Sequence, residues 1–491
     1  MPDRADSVSV LNLRLIANAL AALVAVVGAV MLVPAAYSLL AGPDGGWIFW
    51  LPGAAALALG AALFSLTRAR QYRYVSRQNI FLMVVVCWLG VVLVGAAPFL
   101  LAGVMGPVDA FFNSMAGFTT TGAATVAPEE LSPALLLWRS LSQWIGGLGI
   151  IVLFVAIAPL AGFGATQLYS AEAATPVQER ITPRIRDTGK VLAFVYGGLT
   201  LGGIVVLHLV GMGTFDAVNY ALSTVSTGGF STDSNSVAAF DSWAVDLAIT
   251  VGMVLGGTNF AIYYLAFRRG LGRAVGNAEL VTYLGVILAS TLLITADLGA
   301  SDYGGSLVIA FREALFQSAS LTTGTAFSTT DWSAWPPFSV ALLVLVMAVG
   351  GCAGSTAGGM KAIRLYLLSR NAAQEMFRMI HPRAVTPLVL GDRALPERLR
   401  VGVLSFFFVY VATMAVGTLL ISLHQVPVGQ AFGSVFASVN ITGAFPGAAG
   451  TSQFYADLPA TAKSILAILM LLGRLELFTV LVLFTPAFWR A

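Results

Sequence analysis

Charge is scarce in this chain. Only 10% of its 491 residues are charged, against 58% hydrophobic, and the mean hydropathy is +0.86. Those values exclude an ordinary soluble globular protein. Cysteine is nearly missing. Cys87 and Cys352 are the only two, so there is neither a disulfide framework nor a thiolate metal site. The three histidines, His208, His381 and His424, are scattered, and no nucleophile, base and metal-ligand set of an intramembrane enzyme is visible. No G-x-G-x-x-G stands in a Rossmann setting, so the chain carries no nucleotide-binding unit of its own. Strand-like alternation is also missing, which excludes a β-barrel. The N-terminal segment has no obvious cleavage site, and Leu11 onward reads as a retained first helix.

What remains is apolar length. Stretches at 11–40, 46–66, 81–101, 135–160, 191–210, 245–267, 280–294, 340–349, 401–423 and 465–484 are apolar enough to be spans, some of them short or broken. The expected fold is all-α and polytopic, since helices satisfy their own backbone in lipid. The sparse basic residues cluster in alternate loops. These are Arg68, Arg70, Arg73 and Arg77; Arg180, Arg184, Arg186 and Lys190; Arg268, Arg269 and Arg273; and the stretch 361–400. The intervening loops hold Asp109, Glu129 and Glu130; Asp216, Asp233 and Asp241; Asp297, Asp302 and Asp331; and Asp457. The positive-inside rule puts the basic loops and both termini in the cytoplasm.

One polar pattern returns four times on the acidic side. It reads Phe118-Thr119-Thr120-Thr121-Gly122, Thr224-Val225-Ser226-Thr227-Gly228, Ser320-Leu321-Thr322-Thr323-Gly324 and Val439-Asn440-Ile441-Thr442-Gly443. The glycines stand 106, 96 and 119 residues apart (122 to 228 to 324 to 443). Each follows a segment that suits a short amphipathic helix, and each such segment lies between two spans. The predicted unit is therefore helix, short re-entrant helix, Thr-Gly loop, helix. Two N-terminal helices (1–70) precede four such repeats at 71–165, 166–270, 271–372 and 373–491. Extended backbone at membrane depth must be buried in protein or line a water-filled cavity. Four loops around one axis line such a cavity, and a ring of backbone carbonyls replaces the hydration shell of a monovalent cation. No carboxylate lies in the four runs, which disfavours a divalent-ion site.

With these runs, and with "RSLSQWIGGLGIIVL", "STGGFST", "GGCAGSTAGGMKAIR" and "LLGRLELFT", essentially the whole chain resembles the Trk/Ktr/HKT superfamily of potassium uptake proteins, above all the bacterial Trk-type membrane subunit. The resemblance implies four channel-like M1-P-M2 units in pseudo-fourfold arrangement and a K+ filter. Its residues would be Thr120, Thr121 and Gly122; Ser226, Thr227 and Gly228; Thr322, Thr323 and Gly324; and Ile441, Thr442 and Gly443. Glycine rather than serine at Gly122 favours K+ over Na+. The chain departs from the family pattern at Ala326, where a second glycine is often found, and in "NITGAFPG", which lacks the Gly-Pro expected after the filter glycine.

In Gly350–Gly359, seven of ten residues are Gly, Ser or Thr, enough to break the helix that should run through them. The run lacks the Lys-Ser/Thr ending of a phosphate-binding loop. By resemblance it is an intramembrane gate, with Gly350, Gly351, Gly354, Ser355, Thr356, Gly358 and Gly359 as its flexible residues. Arg474 lies within the last apolar span, and a charge there marks a functional site by default. In the family the matching arginine faces the pore. Lys361 is a second gate candidate, expected at the cytoplasmic interface. The resemblance also implies a bacterial inner-membrane homodimer working with a cytosolic, nucleotide-binding (TrkA-like) regulatory subunit. The loops at 171–190 and 369–400 are available to dock it. Neither an organic cofactor nor nucleic acid is called for. The competing reading is a symporter that couples K+ to H+ or Na+. The parallel repeats and the lack of a carboxylate relay favour the channel-like one.

Overall fold

The computed structural model describes residues 11–41, 46–67, 76–161, 185–270, 272, 276–301, 306–384, 387, 389–390, 393–394, 396–447 and 452–490. Several expected basic-loop residues (Arg68, Arg70, Arg73, Arg180, Arg184 and Arg273), Asp302 and most of the loop at 171–190 lie outside that set.

Among the described residues the fold is helical, apart from a two-residue antiparallel hairpin that pairs Val389 with Ala394 and Leu390 with Arg393. Two N-terminal helices, Leu13–Ala41 and Trp47–Thr67, pack closely through small residues. A Cβ on Gly28 would lie 2.6 Å from the Leu57 nitrogen, and one on Gly60 would lie 2.7 Å from the Ala21 oxygen. Close backbone approach of this kind is how apolar helices adhere where lipid removes the hydrophobic drive.

Four repeats follow. Their first helices are Arg77–Gly95, Ile185–Leu209, Ala278–Ala300 and Glu397–Ser422. Their short helices are Pro107–Phe118, Thr214–Val225, Leu307–Thr323 and Val428–Asn440. The first helices expose large apolar side chains such as Phe194, Leu201, Leu288 and Phe408, as a lipid-facing surface does. The short helices are mostly buried, polar residues included.

The second helices differ from a simple reading of hydropathy. In the first repeat, Pro133–Ala161 is continuous. In the second, Trp243–Gly256 turns by 92° into Phe260–Ala266. The expected span at 245–267 is therefore bent at Gly257-Thr258-Asn259, where the Asn259 side chain accepts from the Ala261 amide at 2.9 Å and starts a new helix. In the third, Pro337–Val349 stops at Gly350, and a helix resumes only at Ala362–Ile380. In the fourth, Ala460–Arg474 turns by 115° into Leu477–Phe484, so the expected span at 465–484 is also bent. Seven described helices are long and apolar enough to cross a membrane, or nine when each bent pair is one span.

Candidate functional site: a ring of four loops above a glycine-rich crossing

Each short helix ends in the same way. The amides of Thr121, Gly228, Thr325 and Thr442 donate to the carbonyls of Ala116, Ser223, Ser320 and Ala437, at 2.8, 2.8, 2.9 and 2.9 Å. Each acceptor lies five residues back, one more than in an α-helix, so the chain is turning out of the helix. Around each donor, two residues have positive φ. They are Thr120 (59°) and Gly122 (79°); Thr227 (52°) and Gly229 (80°); Gly324 (78°) and Ala326 (57°); and Ile441 (58°) and Gly443 (62°).

This backbone repeat sets the register. Thr121, Gly228, Thr325 and Thr442 are equivalent, and so are Gly122, Gly229, Ala326 and Gly443. Matching the Thr-Gly pairs by sequence displaces the second loop by one residue and the third by two. Gly228 and Gly324 lie in the loops but are not the counterparts of Gly122.

The loops also meet in cyclic order. A Cβ built on Gly122 would lie 2.3 Å from the carbonyl oxygen of Gly228 in the second loop. One on Gly229 would lie 1.8 Å from that of Thr325 in the third. A Cβ on Gly324 would lie 3.0 Å from the Ile441 oxygen of the fourth loop, and one on Gly443 would lie 2.2 Å from the Thr121 oxygen of the first. First touches second, second third, third fourth and fourth first. Thr120, Thr121, Ser226, Thr227, Thr322, Thr323, Ile441 and Thr442 are all buried there. Among the described residues, the hydroxyls of Thr120 and Thr322 have no hydrogen-bond partner.

Beneath the ring, the run from Gly350 to Lys361 crosses as irregular backbone. It is held from several sides. Its Cys352 amide donates to Gly257 at 2.9 Å, and its Gly354 carbonyl accepts from Phe260 at 3.2 Å. Its Gly359 amide donates to Asn440 at 3.0 Å. The Thr356 hydroxyl lies 3.0 Å from the carbonyls of Val225 and of Gly256, between which it shares its one proton. The Ala353 amide donates to the buried carboxylate of Glu279 at 2.5 Å. Gly350, Gly351, Ser355 and Gly358 are buried, while Gly354 and Gly359 are half-buried.

Arg474 reaches this crossing. Its Nη1 donates to the Thr356 carbonyl at 2.7 Å and its Nη2 to the Gly146 carbonyl at 3.0 Å, and Nε has no partner among the described residues. Glu476 does not neutralise it, because that carboxylate is bonded to Arg364 at 2.7 Å. Lys361 is half-buried at the end of the crossing, and its ammonium bonds the Ala357 carbonyl.

A family model described as a cation transport protein, TrkH, matches residues 48–278 and 278–491. This chain belongs to the TrkH family. It is 38% identical over 485 residues to the Trk system potassium uptake protein TrkH of Salmonella typhimurium, covering 98% of this chain and all of that one. Identity to the Escherichia coli TrkH is 37% with the same coverage. The crystal structure of the potassium transporter TrkH from Vibrio parahaemolyticus superposes with a TM-score of 0.90 at 36% identity, over 98% of this chain and all of that one. The chain is thus a multi-pass membrane protein of a transport family, not an enzyme.

Within this TrkH-family chain, some of the supporting residues escaped the sequence reading. Gln143 is buried in the second helix of the first repeat, where its Nε2 donates to Gly228 at 2.6 Å and its Oε1 accepts from the Phe230 amide at 3.2 Å. It clamps the second loop from a neighbouring repeat. Glu279, which holds the crossing through the Ala353 amide, is likewise 74 positions away from its partner. One available signal was a further repeat, Gly146-Gly147, Gly256-Gly257, Gly350-Gly351 and Gly473-Arg474. Gly146, Gly256 and Gly473 each sit where a Cβ would strike the last carbonyls of the repeat's own short helix, at 2.0, 2.9 and 2.3 Å. Arg474 thus takes the place of a glycine in the fourth copy.

Proposed function

We propose that this chain takes up potassium across the bacterial cytoplasmic membrane, through a filter formed by its four loops. The observation that carries this reading is the closed cyclic order of the loops, each with the same backbone turn and none with a carboxylate. Carbonyl and hydroxyl dipoles in that number suit a weakly hydrated monovalent cation. The relatives' names supply the ion. The contact residues are Thr120–Gly122, Ser226–Gly228, Thr322–Gly324 and Ile441–Gly443, extended to Gly229, Thr325 and Ala326.

The crossing at 350–359 acts as the gate, and Arg474 bonded to Thr356 supplies a positive charge on the cation's path beneath the filter. Lys361 adds a second charge at the gate's end. Basic loops and both termini face the cytoplasm. There a nucleotide-binding regulatory subunit docks on a homodimer and controls the crossing. K+ is cargo, and no organic cofactor takes part. Two buried carboxylates, Asp246 and Glu279, are already engaged by Arg312 and the Ala353 amide, which supports channel-like flow over coupling to H+ or Na+.

The test is flux and current in proteoliposomes. The expected result is a reversal potential that follows the K+ gradient alone. A reversal potential that moves with pH or Na+ at fixed K+ would replace this reading with the coupled symporter. Lack of growth rescue at low K+ in bacteria without K+ uptake systems, from inserted protein, would remove the potassium assignment.

A further inference from the structure

The second helices of the four repeats share a glycine step, at Gly146-Gly147, Gly256-Gly257, Gly350-Gly351 and Gly473-Arg474. Seven and three residues before each step lie two equivalent positions. In the second, third and fourth repeats both are apolar and buried: Ile249 and Met253, Leu343 and Met347, Leu466 and Met470. In the first repeat they are Arg139 and Gln143, which are buried as well. Packing at this place therefore needs no polar group, and a guanidinium buried there is costly.

Both polar side chains meet the second loop. Gln143 donates to the Gly228 carbonyl at 2.6 Å and accepts from the Phe230 amide at 3.2 Å. The Arg139 guanidinium lies over the Phe230 ring, 4.2 Å from its centroid. Its Nε and Nη1 have no hydrogen-bond partner among the described residues. The buried Phe230 ring also abuts the first short helix, where a Cβ on Gly117 would lie 3.6 Å from its Cε2. Phe230 is thus a side chain of the second repeat held inside the first. A cation over an aromatic face is attracted by the ring, more strongly where water is excluded.

We infer that Arg139 is a positioning residue for ion passage. Through the Phe230 ring it fixes the second loop against the first repeat, while Gln143 fixes the backbone on either side of Gly229. The loop's carbonyls then keep the spacing on which binding of a bare cation depends. This rests on the reading of the loops as the filter.

The experiment measures K+ uptake against K+ concentration for the full chain in proteoliposomes, and the apparent melting temperature of the same protein in detergent. Arg139→Met imitates the other three repeats. It is expected to raise the KM for K+ by about fivefold, with a melting temperature unchanged or higher, since an apolar residue of similar size relieves the buried charge. Arg139→Lys keeps a cation over the ring and stays within about twofold of the wild type. Phe230→Leu raises the KM as Arg139→Met does, and the double variant is no worse than either single one, because the two side chains form one contact. A wild-type KM in Arg139→Met, or effects that multiply in the double variant, overturns the inference. A raised KM with a lowered melting temperature and no rescue by lysine marks a packing role and overturns it too. If Arg139→Met does not insert, Arg139→Gln takes its place in the same comparison. A raised KM in Gln143→Leu beside a wild-type KM in Arg139→Met leaves the filter reading standing without the inference. A wild-type KM in every variant removes both.

Discussion

Arg474 is the most consequential single side chain. A buried guanidinium without a carboxylate is costly, and among the described residues this one is bonded to two backbone carbonyls alone. A unit charge about 6 Å from a passing cation, at an effective dielectric near 20, raises that cation's energy by about 3 kcal/mol. Arg474→Ala should therefore increase K+ flux by about tenfold or more, measured as rubidium uptake per inserted protein. Flux at or below the wild-type level would mean that the guanidinium is not on the ion's path. At Gly122, a serine would place its Cβ against the Gly228 carbonyl and disturb the seam between the first two loops. Gly122→Ser should admit Na+, and an unchanged K+/Na+ ratio would count against the filter placement. Outside the spans, Glu129 accepts from the amide and hydroxyl of Ser234 at 2.7 and 2.6 Å. The hydroxyl bond first of all holds its carboxyl below the usual range. A depressed folded value stabilises at neutral pH, and that contribution is lost as pH falls through the folded value. The loop contact should thus survive mild acid, and its loss on acidification should disappear in Glu129→Gln.

At the scale of elements, the short helices and the crossing play different parts. The short helices are fixed by burial and by ties such as Asn113 to the Thr125 hydroxyl at 2.6 Å and Tyr410 to Asn440 at 2.7 Å. The crossing has little regular structure and relies on single bonds to its neighbours. Glu279, at the start of the third repeat's first helix, holds it at the Ala353 amide. Glu279→Ala leaves that amide unpaired, a penalty of about 1–3 kcal/mol on the observed arrangement of the crossing. The expected result is higher K+ flux with an unaltered K+/Na+ ratio. A changed ratio would show that the carboxylate supports the loop ring instead of the crossing.

Across the whole molecule, charge pairs join elements from different repeats. Lys463 in the fourth repeat bonds Asp109 of the first short helix at 2.5 Å, and Arg312 of the third short helix bonds Asp246 of the second repeat at 2.6 Å. Removing one partner of such a low-exposure pair strands the other. Arg312→Met should lower stability by about 3 kcal/mol, seen as a lower apparent melting temperature in detergent. An unshifted melting temperature would mean that the pair carries no net stability. Asp109, one of the acidic-loop residues of the sequence, is thus paired with Lys463.

The sequence by itself determined the class and the repeated parts. Apolar runs with few charges require membrane helices, and four Thr-Gly sites in four similar frames mark four equivalent loops. The density of small residues at 350–359 forbids a continuous helix, and a lone arginine in an apolar span demands an explanation. Each of these is local, set by residue type and near spacing. The tertiary structure decided what depends on distant partners. The register of the second and third loops follows from which residue abuts the neighbouring loop, about which a local Thr-Gly match says nothing. The bends after Gly256 and Arg474 occur in segments whose hydropathy reads as continuous. The partners of Arg474 are backbone carbonyls at Thr356 and Gly146, over a hundred positions away along the chain. Backbone carbonyls are the same in every residue, so no sequence pattern can announce which of them will hold a charge.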